Sequence, residues 1–208
     1  MGLFTRDLKT LEDLFNHALK DIYYAENQIV KNLPKMIEAA SDSELKKGLK
    51  LHLAETENQV VRLEQVFELL GETPKGTRCP GIDGILTEGD EVLGNVDGRS
   101  VTNAAVVASA QAVEHYEITR YGTLIAWAKE LGKDEVVPLF ERNLREEKAA
   151  DKKLSAIAEA RVNKGSSRKT AKSVKSRGGA RRITSARKVS KAPVKPRKRP
   201  TTQKRRAS

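Results

Sequence analysis

With a single cysteine, Cys79, the chain has no intramolecular disulfide framework, and its thiol content fits a reducing compartment. Aromatic residues are scarce: four Phe, four Tyr and one Trp in 208 residues, none after Phe140. No apolar run approaches the roughly 20 residues of a membrane span. The first residues lack the apolar region of a signal peptide, and Arg6 departs from the myristoylation pattern. The expected location is therefore the cytoplasm. Acidic residues are absent from the last part of the chain. Residues 161–208 hold 19 Lys+Arg and no Asp or Glu, whereas residues 1–160 hold 20 Lys+Arg against 28 Asp+Glu. The net charge of +11 thus combines a body of −8 with a tail of +19. Such asymmetry points to a polyanionic partner for the tail.

What the body does have is helical periodicity. Leu8, Leu11, Phe15, Ala18, Ile22, Ile29, Leu33 and Met36 form one stripe of a first helix, over about residues 8–40. Pro34 lies inside it and removes a donor toward Val30. Ser41-Asp42-Ser43-Glu44 resembles a capping-box restart, and a second helix runs to Leu70, ended by Gly71. A third runs from about Thr102 to Leu131, closed by Gly132, and Asp134 is expected to cap a fourth. Tight turns join helices one and two, and three and four, so each pair is an antiparallel hairpin. Residues 71–101 are far longer than a bundle turn needs, and Ile82, Ile85, Leu86 and Val92 predict a short helix within them. One long crossover between two hairpins specifies an all-α, ferritin-like four-helix bundle over residues 1–162.

Acidic residues stand where the heptads call for apolar ones: Glu26, Glu55, Glu114 and Glu147. A carboxylate carried toward a core without a partner is costly. Several of them on different helices are better explained by a cation they all face. Helical rise places Glu26 and Glu55 roughly 20 Å from the first turn, and Glu117 and Glu147 roughly 20 Å from the second. The separations Glu26 to Glu117 and Glu55 to Glu147 are 91 and 92 residues, as a pseudo-two-fold pair of hairpins requires. Glu146 would keep the 91-residue spacing, while the Leu144–Leu154 stripe favours Glu147. His52 and Glu55 share a helix face, as do Glu114 and Glu117.

Mixed carboxylate and imidazole donors suit iron or manganese. Di-metal bundles carry Glu-x-x-His on two helices. Here His52-x-x-Glu55 reverses that order and the fourth helix has no histidine, with Asp151 as its nearest substitute. The candidate ligands are Glu26, His52, Glu55, Glu114, Glu117 and Glu147, holding one ion or two. Tyr23, Tyr24, Tyr116 and Tyr121 flank them, either as core-boundary residues or as hydrogen-bond donors beside a redox metal.

Asp-Ile-Tyr-Tyr-Ala-Glu-Asn-Gln (21–28), Leu-Pro-Lys-Met (33–36) and His-Leu-Ala-Glu-Thr-Glu-Asn-Gln (52–59) resemble the YciE/YciF-like family of bacterial ferritin-like proteins. So do Leu-Glu-Gln-Val-Phe (63–67), Val-Glu-His-Tyr-Glu-Ile (113–118), Tyr-Gly-Thr-Leu (121–124) and Glu-Glu-Lys-Ala-Ala-Asp (146–151). The resemblance covers about residues 7–160. It implies a ferritin-like bundle, often a homodimer, associated with stress responses and holding iron or manganese. It supplies no reaction.

The tail, residues 163–208, lies outside that resemblance. Its composition cannot bury enough apolar surface to offset chain entropy, which predicts disorder. Arg168, Lys169, Arg181, Arg182, Arg187, Lys188, Arg197, Lys198, Arg199, Lys204, Arg205 and Arg206 resemble the cations of linker-histone tails. Without stacking aromatics they suit the phosphate backbone and not base readout. Non-specific DNA binding at the nucleoid is the expectation, with RNA the alternative. Two functions follow: a ferroxidase- or peroxidase-like di-metal protein tethered to DNA, or an inert scaffold that binds DNA through its tail.

Overall fold

A computed structural model describes residues 8–167; residues 1–7 and 168–208, with the tail cations from Arg168 to Arg206, lie outside the described residues. Among the described residues there are five α-helices and no strand: α1 (Leu11–Ala39), α2 (Ser43–Leu69), α3 (Pro80–Asn95), α4 (Arg99–Glu130) and α5 (Val137–Ile157). α5 passes through a π-helical turn, Ala158–Val162, and helical structure continues to residue 167, five residues past 162.

Local chemistry sets the ends. Thr10 caps α1 in a capping box with Asp13, whose backbone N–H donates to Thr10 Oγ1 at 3.0 Å. Asp42 caps α2, accepting from the backbone N–H groups of Glu44 at 3.0 Å and Leu45 at 3.2 Å. α2 and α4 both end on a glycine in the left-handed region, Gly71 (φ 69°) and Gly132 (φ 67°). In each, the next N–H reaches back five residues: Glu72 to Phe67 O at 2.8 Å, Lys133 to Ala128 O at 2.9 Å. The fourth bundle helix corrects the sequence reading. Val136, not Asp134, is the N-cap of α5, and no side chain caps it. Pro138 explains the shift, because a proline fits only the first turn of a helix and so delays its start.

Contacts between helix ends fix the topology. Asn103, near the start of α4, accepts from the backbone N–H groups of Ser41 at 2.8 Å and Asp42 at 3.2 Å, beside the α1–α2 turn. Lys133 after α4 pairs with Glu12 at the start of α1 at 3.0 Å. Arg161 beyond α5 returns to Asp42 at 3.1 Å. The bundle therefore runs up, down, down, up, and the connection carrying α3 climbs the outside along α1 and α4. Its first stretch lies tight on α1: a Cβ at Gly76 would sit 3.0 Å from Tyr24 Cβ. This is the ferritin-like arrangement that the long crossover predicted.

The core is the interior of this bundle, where Phe15, Ile22, Leu33, Leu49, Phe67 and Phe140 are fully or almost fully buried. Burying each large apolar side chain contributes about 1.5–3 kcal/mol. Midway along the bundle the apolar layers are interrupted by Glu26, His52, Glu114, Glu117 and Glu147, each at most 5% exposed.

Candidate metal centre

Three helices bring four side chains together. α2 supplies His52, α4 supplies Glu114 and Glu117, and α5 supplies Glu147. One donor atom from each lies within 4.8 Å of all the others. Donors bonded to one ion at roughly 2.0–2.2 Å sit at most about 4.4 Å apart. Contraction by a few tenths of an ångström would therefore close them on a cation. His52 Nε2 is 3.2 Å from Glu114 Oε1 and 3.9 Å from Glu147 Oε2.

Within the described residues, both imidazole nitrogens of His52, Glu114 Oε2, both Glu117 oxygens and Glu147 Oε2 are buried without a hydrogen-bond partner. A buried polar atom left unmade costs about 1–3 kcal/mol, more when charged. Six such atoms on four convergent side chains fit a site completed by a cation. The donors are oxygen and imidazole nitrogen, which suits iron or manganese.

Neighbouring side chains orient the acids. Gln59 donates to Glu147, with its Nε2 also 3.3 Å from Glu146 Oε2. Arg62, 5% exposed, forks onto both oxygens of Glu146, one of them at 2.9 Å. On the other side Tyr121 donates its hydroxyl to Glu26, and Asn143 Nδ2 donates to the Tyr121 oxygen at 2.8 Å. All three are fully buried.

Burial pushes the Glu26 carboxyl well above its usual range, reinforced by Glu147 and opposed by the bond from Tyr121. Glu117 rises for the same first reason, then through Glu147, Glu26 and Glu114. Glu114 rises by burial and through its closeness to Glu147. Burial, followed by the charges of Glu26 and Glu117, also raises the Tyr121 hydroxyl. Without a cation, adjacent carboxyls must hold protons, because like charges in one dry site disfavour ionisation.

Two clefts reach the His52–Glu114 pair from opposite faces. The larger, about 80 Å³ and open to solvent, lies between α2 and α5. The smaller, about 10 Å³, is bounded by α1, α3 and α4.

A family model described as a domain of unknown function, DUF892, matches residues 10–167. The chain belongs to the DUF892 family. It is 40% identical to protein YciF of Escherichia coli K12 over 159 residues, covering 76% of this chain and 96% of YciF. The crystal structure of that stress protein superposes with a TM-score of 0.71 at 41% identity, covering 75% of this chain and 99% of the other. YcfI of Rhodopseudomonas palustris, for which a structural role has been suggested, gives a TM-score of 0.72 at 57% identity, over 74% and 98% of the two chains. A Xanthomonas campestris protein shares the fold at 24% identity and a TM-score of 0.59, over 78% and 99%. The expected YciF-like resemblance is thus established for the body.

In this DUF892 chain the six predicted ligands, five acids and one imidazole, divide into three classes. His52, Glu114, Glu117 and Glu147 converge. Glu26 is fully buried beside Glu117 and bonded to Tyr121, outside the group of four. Glu55 sits at the solvent edge, its side chain 33% exposed and Oε2 4.0 Å from His52 Nδ1. Of the two register alternatives, Glu147 faces the centre and Glu146 faces Arg62.

Asp151 accepts from Gln111 at 2.9 Å and lies 3.4 Å from the exposed His115, so it does not take the missing histidine's place in the group. Only Tyr121 among the tyrosines enters the site. Tyr23 bonds Glu64, Tyr24 bonds Asp83, and Tyr116 lies 3.1 Å from Cys79 Sγ. Gln59, Arg62 and Asn143 escaped sequence reasoning, although each is a polar residue on a buried stripe, the same signal that exposed the acids.

Proposed function

We propose that the bundle is a non-haem redox protein holding iron or manganese, with a dinuclear centre of two unequal positions. His52, Glu114, Glu117 and Glu147 would hold the tighter one. Glu26, sharing Glu117 and Glu147, would hold the weaker, with Glu55 able to swing in from the edge. The observation that carries this reading is the set of unpartnered donor atoms on four buried, convergent side chains. Two divalent ions would balance the four fully buried carboxylates Glu26, Glu114, Glu117 and Glu147.

When bound, such a metal supplies one-electron chemistry toward ferrous iron or peroxide. The chain's part is to bind, orient and exclude water. Gln59 fixes Glu147, Tyr121 fixes Glu26, and Arg62 neutralises Glu146 so that its charge does not add to the centre. The kinship with a protein called a stress protein supports a detoxifying role. Elemental analysis of the purified full chain is the test. Iron or manganese near two per chain is expected, with loss in Glu117→Ala; no bound metal after anaerobic Fe(II) titration overturns the reading.

The tail extends the proposal. Residues 1–160 carry a net −8 and repel phosphate, so attachment to DNA runs through the +19 tail and is independent of sequence. A homodimer would present two tails, enough to bridge duplexes at the nucleoid. If about six phosphates are engaged, the log–log salt slope of binding is near −5. A chain ending at residue 167 should lose binding; a slope near zero removes DNA from the function.

A second reading has one observation in its favour: α5 brings no histidine, so the usual di-metal pattern is incomplete. In that reading the body is an inert scaffold and the tail makes a nucleoid protein. It predicts DNA compaction without any metal.

A further inference from the structure

The larger cleft differs in character from the centre it reaches. Its walls are apolar: Leu49 and Leu51 from α2, and Ala149, Leu154 and Ile157 from α5. Its floor is His52 and Glu114, both at least nine-tenths buried, with unpartnered polar atoms. At the mouth, Glu55 and Lys153 place one charge of each sign. Gly48 makes the opening wide, since a Cβ there would lie 3.6 Å from Lys153 Cε and 3.8 Å from Ile157 Cδ1. Small-molecule sites are usually concave and mostly apolar, with a few convergent polar groups. This cleft has that character on a small scale, with about 80 Å³ of interior space.

We infer that the α2–α5 cleft binds small uncharged molecules with an apolar body and one hydroxyl- or hydroperoxide-type head, the head lying against His52 and Glu114. This rests on the proposed metal centre for its use, because it names organic hydroperoxides and their alcohols as the class that reaches the centre. The binding itself rests on the cleft alone. Charge selects the head. An anionic head would pass Glu55 at the mouth and enter apolar walls that offer it no counter-ion, so burying it would be costly. A cationic head would compete with the metal for the same carboxylates. A neutral head needs no counter-ion, and the apolar walls reward removing its hydrocarbon body from water.

The test uses the full chain, metal-free and loaded with Mn(II), with 1-hexanol as probe and hexanoate as its charged counterpart. Saturation-transfer NMR gives binding, and elemental analysis in parallel gives metal content. Saturable hexanol binding is expected in both forms, with hexanoate weaker by about tenfold or more. Gly48→Leu and Ala150→Leu fill the cleft from opposite walls, and each should weaken hexanol by roughly ten- to a hundredfold, the scale set by excluding hydrocarbon from a pocket. Their metal content should equal that of the unaltered chain.

Hexanol binding that survives both substitutions, or hexanoate binding as tightly as hexanol, overturns the inference. Absence of hexanol binding in a chain that holds metal does the same and leaves the metal centre standing. Hexanol bound to a chain that never takes metal supports the cleft and removes the redox reading.

Discussion

The two hairpins are copies in burial and opposites in chemistry. A shift of 91 residues carries the buried stripe of α2 onto that of α5: Leu45 onto Val136, Leu49 onto Phe140, Leu63 onto Leu154, Val66 onto Ile157 and Phe67 onto Ala158, all buried. The same shift carries Glu26 onto Glu117, both fully buried. Between these anchors the pairs differ. His52 falls on Asn143, Tyr23 on Glu114, and Thr56 on Glu147, while Glu55 and Glu146 are partners at the half-exposed edge. The 92-residue pairing of Glu55 with Glu147 is therefore superseded by Glu55 with Glu146.

The first hairpin contributes one member of the convergent group and the second contributes three. At the symmetry-related position stand Glu26, Asn143, Tyr23 and Thr56. Asn143 and Glu26 are wired to Tyr121, and Thr56 donates its hydroxyl to its own helix at His52 O. A repeated scaffold thus offers one place rich in anionic donors and one where neutral groups have taken every position but that of Glu26.

The sharpest way to break that contrast is to strip one partner from each pair. Glu147→Ala should abolish tight metal binding, seen as loss of iron or manganese by elemental analysis. Thr56→Ala, at the matching place, should leave metal content unchanged and lower stability by only about 1 kcal/mol, the scale of one hydroxyl hydrogen bond. Equal metal loss in both would show that the two positions are equivalent after all.

A second prediction uses acidity. Glu26, Glu114 and Glu117 have carboxyls raised in the fold, chiefly by burial. The native metal-free state then holds more protons than the unfolded chain. Stability is full below the unfolded carboxyl range and declines as pH rises from there toward the raised native values, by about 1.4 kcal/mol per pH unit for each such group. Thermal unfolding of metal-free protein should shift downward between pH 4.5 and 7, and Mn(II) should restore it more at the higher pH. Glu26→Gln should flatten the profile. A metal-free chain whose melting temperature rises across that window refutes the arrangement of buried acids.

Helix positions, the long crossover and the short α3 were legible because apolar spacing, glycine stops and loop length are local signals. The acids were legible because carboxylates on apolar stripes are conspicuous. Three things were not. Asp134 looked like a cap, yet Pro138 decided where α5 begins. Glu55 shares a helix with His52, but a three-residue step is about 300° of turn, enough to leave the carboxylate at the edge while the imidazole is buried. Arg62, Gln59 and Asn143 lie on buried stripes as the acids do, but the packing of α2 against α5 and of Tyr121 against α1 shows what they hold. Pairing across helices is set by rotation about their axes, which spacing along one chain constrains weakly.

The smallest expected effect sharpens the contrast instead of breaking it. Asn143 occupies the place that His52 holds in the first hairpin, is fully buried, and has an Oδ1 atom without a partner. Asn143→His would add an imidazole beside Glu26 and Glu117 at the cost of the bond to Tyr121, which would then rely on Glu26 alone. The gain of one nitrogen donor against the loss of one neutral hydrogen bond, about 1 kcal/mol, leaves a modest net change. Binding at the weaker position should tighten roughly tenfold, the equivalent of 1.4 kcal/mol, with the tighter position unmoved. Stepwise Mn(II) titration followed by calorimetry separates the two events. If the first event tightens and the second does not, the imidazole has joined the wrong half, and the assignment of the weaker position to Glu26 fails.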